Sequence, residues 1–159
     1  ARKKIKKLPN HKNLIFDKQS YKTNNKVEYF SPFNDAPIDN SVFENADFSK
    51  GCWVTSYCGI GFNSYGYYAG SVIGGIDRVI GKNVGIKSLT EIDNLKLTHQ
   101  LSEFCKYCGN YSDYDINKGD FIPRNEKAPF TNNVISKTWQ KKYEIYEKRK
   151  HILTKIYEE

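Results

Sequence analysis

Four cysteines in two pairs constrain this chain more than any other feature of its 159 residues. Cys52 and Cys58 form a C-x5-C, and Cys105 and Cys108 form a C-x2-C. Three fates are open to such a set. Disulfides need an oxidising compartment, and no basic segment followed by an apolar stretch marks a secretion signal here. Four unconnected thiols can fill a core. A metal site accounts for the C-x2-C best, because a turn at a helix end sets two sulfurs on one side of the backbone. Gly109, directly after, leaves the chain room to bend toward an ion. Two converging pairs would make a soft set of four thiolates, which selects zinc or an iron–sulfur cluster. Spacing alone does not separate those two.

Charge narrows the functional classes. The formal net charge is +7, yet residues 1–12 hold six basic residues and no acid, and residues 137–159 hold seven basic against four acidic. The centre is therefore slightly acidic, and the positive charge belongs to the two ends. Such ends bind nucleic acid or an anionic surface, or are solvated tails. No pattern of basic and aromatic residues in the centre matches a known nucleic-acid module. No run approaches the roughly 18 apolar residues of a membrane helix, so a membrane is not expected as partner and the expected location is the cytoplasm. Met is absent and Ala1 comes first, as expected of a processed or truncated piece.

The chain reads as three regions. Residues 1–35 form a basic, loop-rich extension that ends at the proline-rich stretch from Ser31 to Pro37. Residues 36–110 form a cysteine-bearing unit. In it, 52–62 and 67–73 read as two strands joined at Asn63-Ser64-Tyr65-Gly66, a hairpin closed by Gly74-Gly75. An irregular stretch from Ile76 to Ile86 follows. Ser88 and Glu91 make a capping box that opens a helix, with Ile92, Leu95, Leu101 and Phe104 as its apolar face and its end near Cys105. Gly109 reads as the terminator. Residues 111–159 comprise a loop and a docking helix over about 136–157, with Trp139, Tyr143, Tyr146, Leu153 and Ile156 on one side. The expected fold class is α+β: a small hairpin-plus-helix metal-binding unit with a loop-rich extension and an amphipathic C-terminal helix.

Other residues admit two readings each. His99 is either a ligand or a surface residue of its helix, while His11 and His151 suggest nothing specific. Asp77 and Arg78 either contact a substrate or fix a loop. Gly59, Gly61 and Gly66 sit in a strand–turn–strand context, which hairpin geometry explains better than a phosphate loop does. Tyr57, Tyr65, Tyr67 and Tyr68 either stack on a ligand or cover a small core.

The run from Gly51 through Cys52, Cys58 and Gly66 to Gly74-Gly75-Ile76-Asp77-Arg78-Val79, followed by Phe104-Cys105-Lys106-Tyr107-Cys108-Gly109, resembles a known family. It is similar to the C-terminal auxiliary-cluster region, of the SPASM/Twitch type, of radical S-adenosylmethionine enzymes. The resemblance covers roughly residues 36–110. It implies an auxiliary iron–sulfur cluster, of the [4Fe–4S] kind, held by Cys52, Cys58, Cys105 and Cys108. The cluster's implied role is electron transfer or substrate anchoring for a peptide or small molecule. Two departures stand out. The family's catalytic C-x3-C-x2-C is absent from the chain, so S-adenosylmethionine chemistry would belong to a catalytic barrel elsewhere, on which the last helix would dock. The family also places a cysteine near Tyr68-Ala69-Gly70, where this chain has Gly70, so Cys52 and Cys58 together would replace it. The alternative is a zinc-stabilised binding module whose basic ends contact nucleic acid or an acidic protein.

Overall fold

A computed structural model describes residues 31–115, 120–121 and 135–156. The fold is mixed α+β. Its helices are α1 (Trp53–Cys58), α2 (Ile73–Ile80), α3 (Asn94–Phe104) and α4 (Lys137–Arg149), with short 3-10 turns between them. Strands β1 (Gly61–Asn63) and β2 (Gly66–Tyr68) pair antiparallel with Gly61 opposite Tyr68 and Asn63 opposite Gly66. A second small pair joins β3 (Tyr114–Asp115) to β4 (Asp120–Phe121). Most of the expected extension, residues 1–30, lies outside the described residues, as does most of the loop at 116–134.

The hairpin forms where its turn chemistry predicts, but it is shorter than expected. Asn63 accepts the Tyr65 amide at 2.8 Å through its side chain, and Gly66 takes φ 141°, a conformation suited to glycine. The run 52–58, rich in β-branched and aromatic residues, is helical instead of extended. Cys52 precedes the helix with an extended backbone, its carbonyl accepts the Thr55 amide at 2.9 Å, and its own N–H meets Thr55 Oγ1 at 3.4 Å. Val54 is buried in the core, and that tertiary contact overrides the weak strand preference of the segment.

Gly74-Gly75 does not break a strand. Both glycines lie inside α2, which continues to Ile80 into the stretch expected to be irregular. A Cβ on Gly74 would press on the Asn63 side-chain amide and stand 3.0 Å from the Tyr68 ring, and one on Gly75 would stand 2.7 Å from the Phe33 ring. These glycines serve close packing between a helix and aromatic rings.

Ser88 caps only a short 3-10 turn, Leu89–Glu91, by accepting the Thr90 amide. The true start of α3 is Asp93, whose carboxylate accepts the Lys96 amide at 2.7 Å. Leu101 and Phe104 are buried as expected, but Leu95 is 83% exposed. Gly109 is not a helix terminator either. The chain runs from α3 straight into the 3-10 turn Cys105–Tyr107, and Gly109 is glycine because the Ser31 carbonyl presses on it.

The core gathers residues from nearly every described element, including Phe43, Tyr68, Ile76, Phe104 and Trp139. Trp139 of α4 is fully buried, and its Nε1 donates to the Tyr107 carbonyl at 2.8 Å. Tyr143 packs against Trp139 and donates its hydroxyl to the Phe33 carbonyl at 2.6 Å. Trp139 and Tyr143, from the aromatic stripe expected to dock on another domain, are thus spent on this chain's own core. The same contacts bring residues 31–35 and α4 into the unit expected to span only 36–110. α4 ends at Arg149 and not near 157; beyond it Leu153 is buried in a non-helical strap whose Ile156 amide donates to the Ser64 carbonyl at 2.8 Å. No described helix is long and apolar enough to cross a membrane.

Candidate functional site

Three of the four cysteines come together from two parts of the chain. Cys105 is the C-cap of α3, and the 3-10 turn after it brings the Cys108 amide to the Cys105 carbonyl at 3.1 Å. Cys52 arrives from the start of α1. Gly51 before it takes φ 69° and lies so close to α3 that a Cβ there would be 3.3 Å from a Leu101 methyl. All three side chains are buried. Burial foremost, and then the neighbouring sulfurs of Cys108 and Cys52, push the Cys105 thiol well above its ordinary value. The Cys108 and Cys52 side chains thus each lie within electrostatic reach of Cys105.

Cys58 is not part of this group. It is exposed at the far end of α1. Cys52 caps the helix with an extended backbone and Cys58 is its last residue, so α1 separates two side chains that a strand over 52–58 would have kept on one face. Among the described residues no disulfide joins any of the four. Nor do three or more His, Cys, Asp or Glu side chains stand together at metal-holding geometry there. The sulfurs are neighbours without being pre-set as ligands.

The surface beside the cysteine turn is basic. Lys106 and Lys142 both lie over the Tyr107 ring, at 5.6 and 5.5 Å from its centre, and Lys82 pairs with Glu103 at 3.2 Å. Each such contact is worth little alone at an exposed site.

Asp77 fixes a loop. It is fully buried, and its Oδ1 accepts the amides of Lys82 and Asn83 at 3.0 and 2.9 Å. Its Oδ2 accepts the Val84 amide and the Tyr68 hydroxyl, each at 3.1 Å. Burial, and then the Asp77 charge, raise the Tyr68 hydroxyl far above its ordinary value, so it stays a donor. Arg78 points outward and takes no part.

Gln100, which the sequence did not single out, is the matching device on α3. Its Oε1 accepts the Ala69 amide at 2.8 Å, and its Nε2 donates to the carbonyls of Tyr67 and Val84 at 3.1 and 2.9 Å. The only available signal was its position on the apolar side of α3, one residue before Leu101. His99 is exposed and lines an open cleft with the segment after Asn83. Among the tyrosines, Tyr68 is core while Tyr57 is 85% exposed.

No family model matches the chain, and neither a curated protein nor a solved structure is similar to it.

Proposed function

We propose that this chain is the C-terminal portion of a radical S-adenosylmethionine enzyme and holds an auxiliary iron–sulfur cluster through Cys52, Cys105 and Cys108. The observation that carries this reading is the convergence of three buried cysteines from segments that are distant in sequence. The order of cysteine, hairpin, helix and C-x2-C-G, which resembles that family, gives it direction. Three buried soft thiols suit iron–sulfur or zinc chemistry. A cation there would reverse the effect of burial and favour the thiolate forms that the metal-free pocket resists. The cluster, when bound, supplies electron transfer or a substrate anchor. The protein's part is to bury the three sulfurs beneath α3, with Cys58 outside the set. The catalytic barrel and its S-adenosylmethionine belong to a domain beyond these residues. The reading places the chain in the cytoplasm, where thiols stay reduced.

Anaerobic reconstitution followed by iron and sulfide analysis tests this. About four of each per chain, with a brown visible spectrum, are expected. Cys58→Ser should keep the iron, and Cys105→Ser should lose it. One equivalent of zinc with no iron would sink the proposal and favour the zinc-stabilised binding module instead.

A further inference from the structure

α4 carries its positive charge on one side. At 3.6 residues per turn, Lys137, Lys148 and Lys141 fall within about 40° of one another. Lys142 and Arg149 follow roughly 80–100° further round, with only Thr138 and Ile145 between. This arc runs for about 18 Å along the axis and holds no carboxylate. Lys137, Lys141, Lys148 and Arg149 are exposed, and Lys142 is half-buried. Glu144 and Glu147, the acids of the helix, lie outside the arc. Glu144 stands one turn before Lys148, at the arc's edge. Even so, among the described residues no ion pair joins any cation of the arc to a carboxylate. Asp39 lies near Lys137 and offsets part of its charge. Helix stability does not account for the pattern. Lys148 and Arg149 complement the negative end of the helix dipole, but Lys137 opposes the positive end, and no acid sits in the first turn.

The arc continues onto the cysteine turn. Lys142 and Lys106 lie over the same Tyr107 ring, so their ammonium groups are at most about 11 Å apart. The Glu103 charge near Lys106 is already engaged by Lys82 at 3.2 Å, which leaves that trio net positive.

Three kinds of partner bear the opposite charge: an acidic protein, an anionic membrane and nucleic acid. A protein interface buries an apolar centre from which lysine is depleted. The arc offers only Ile145, 49% exposed. A helix on a membrane inserts its apolar face, and here Trp139 and Tyr143 are packed in the core. A single nucleic-acid strand stacks its bases on open aromatic rings, but Tyr107 already carries two ammonium groups. A duplex backbone requires only cations set against its dense row of phosphates.

We propose that the basic arc of α4, extended by Lys106, binds the phosphate backbone of double-stranded nucleic acid without reading its sequence. Each cation neutralises a phosphate and releases its counterions, so affinity falls steeply with salt. The proposal holds whether the cysteines carry iron, zinc or nothing, and its test reads lysines and not metal.

The full chain is titrated into a fluorescein-labelled DNA duplex of about twenty base pairs, by anisotropy, between about 50 and 200 mM salt. Residues 1–12 hold rival basic side chains. One variant therefore carries Lys3→Gln, Lys4→Gln, Lys6→Gln and Lys7→Gln, and it should still bind, with a slope of log affinity against log salt of about −4. Lys141→Gln with Lys148→Gln, both at exposed positions, should make the slope shallower by about two and weaken binding about tenfold or more. Lys141→Arg with Lys148→Arg should bind like the parent, since it keeps the charge. Unchanged binding in the glutamine pair overturns the proposal. So does loss of all binding in the variant of residues 3–7, or tighter binding to a single strand of equal length, to polyglutamate or to phosphatidylserine vesicles than to the duplex.

Discussion

Asp77 shows how one carboxylate replaces a missing piece of regular structure. α2 ends at Gly81, and the chain must turn back under the hairpin with the amides of Lys82, Asn83 and Val84 in need of acceptors. Both carboxylate oxygens are used in meeting them, along with the Tyr68 hydroxyl. Asp77→Asn would set an NH2 donor against some of those N–H donors. Such a mismatch in a buried site costs about 1–3 kcal/mol, read as a lower urea midpoint by circular dichroism. Tyr68→Phe removes only one donor from an otherwise satisfied oxygen, and about 1 kcal/mol is expected. Equal losses in the two variants would mean that the loop amides do not depend on Asp77. The cysteines argue similarly at this scale. Burial raises the Cys105 thiol, so in the metal-free protein Cys105 should react more slowly with a thiol reagent at neutral pH than the exposed Cys58 does.

α4 is held at its start by a residue remote in sequence. At its start the Asp39 carboxylate accepts the Thr138 amide at 2.8 Å and the Thr138 hydroxyl at 2.6 Å, a helix cap supplied across 99 positions. Burial alone would raise the Asp39 carboxyl, but the two Thr138 bonds, together with Ser136 and the Lys137 charge, outweigh it and hold it below the usual range. A depressed carboxyl adds stability above its unfolded value of about 3.8, and that contribution fades as pH falls through the lower folded value. Asp39→Ala should therefore cost about 1 kcal/mol at pH 7 and much less near pH 3, measured by urea unfolding at both. A loss that does not change with pH would contradict the capping role. Gly74→Ala tests α2 in the opposite sense to intuition. Alanine in a helix gains up to about 1 kcal/mol over glycine, yet here its Cβ meets the Tyr68 ring, and a net loss of about 1–3 kcal/mol is expected. These two cases also mark what the sequence made legible. Local signals were readable: the Asn63 turn, the helix end near Cys105, the aromatic stripe on α4. The α1 helix and the glycines inside α2 were not, because the burial of Val54 and the rings of Tyr68 and Phe33 decide them through tertiary packing, while the Asp93 cap is a local signal that the Ser88 box overshadowed. At the candidate site the C-x2-C was legible as a local pair. The separation of Cys58 from Cys52 was not, because it turns on whether residues 53–58 are helix or strand.

At the scale of the whole molecule, α4 and the cysteine turn are one mechanical unit. Trp139 fills the core against Phe33 and Tyr143, and its indole N–H holds the carbonyl of Tyr107, the residue directly before Cys108. A chain whose last helix only decorated a metal-binding unit would lose that helix first on unfolding. Here α4, the residues around Phe33 and the Cys105–Cys108 turn share one core, so they should unfold together. Trp139→Ala removes a fully buried side chain and is expected to cost about 3–5 kcal/mol. Trp139→Phe keeps most of the apolar area but leaves the Tyr107 carbonyl without its donor, and about 1–3 kcal/mol is expected. If the three buried sulfurs do hold a cluster, loading it should raise the unfolding midpoint of the intact protein, because the site exists only in the folded chain. The same gain should shrink in Trp139→Phe, where the turn that presents Cys105 and Cys108 is less firmly fixed, and vanish in Cys105→Ser. Fluorescence of the two tryptophans and far-ultraviolet circular dichroism, followed in one urea titration, give the reading. Coincident curves that shift together on loading support a single coupled body. An α4 transition that separates from the rest, or a loading shift untouched by Trp139→Phe, would show that the helix and the cysteine turn act independently.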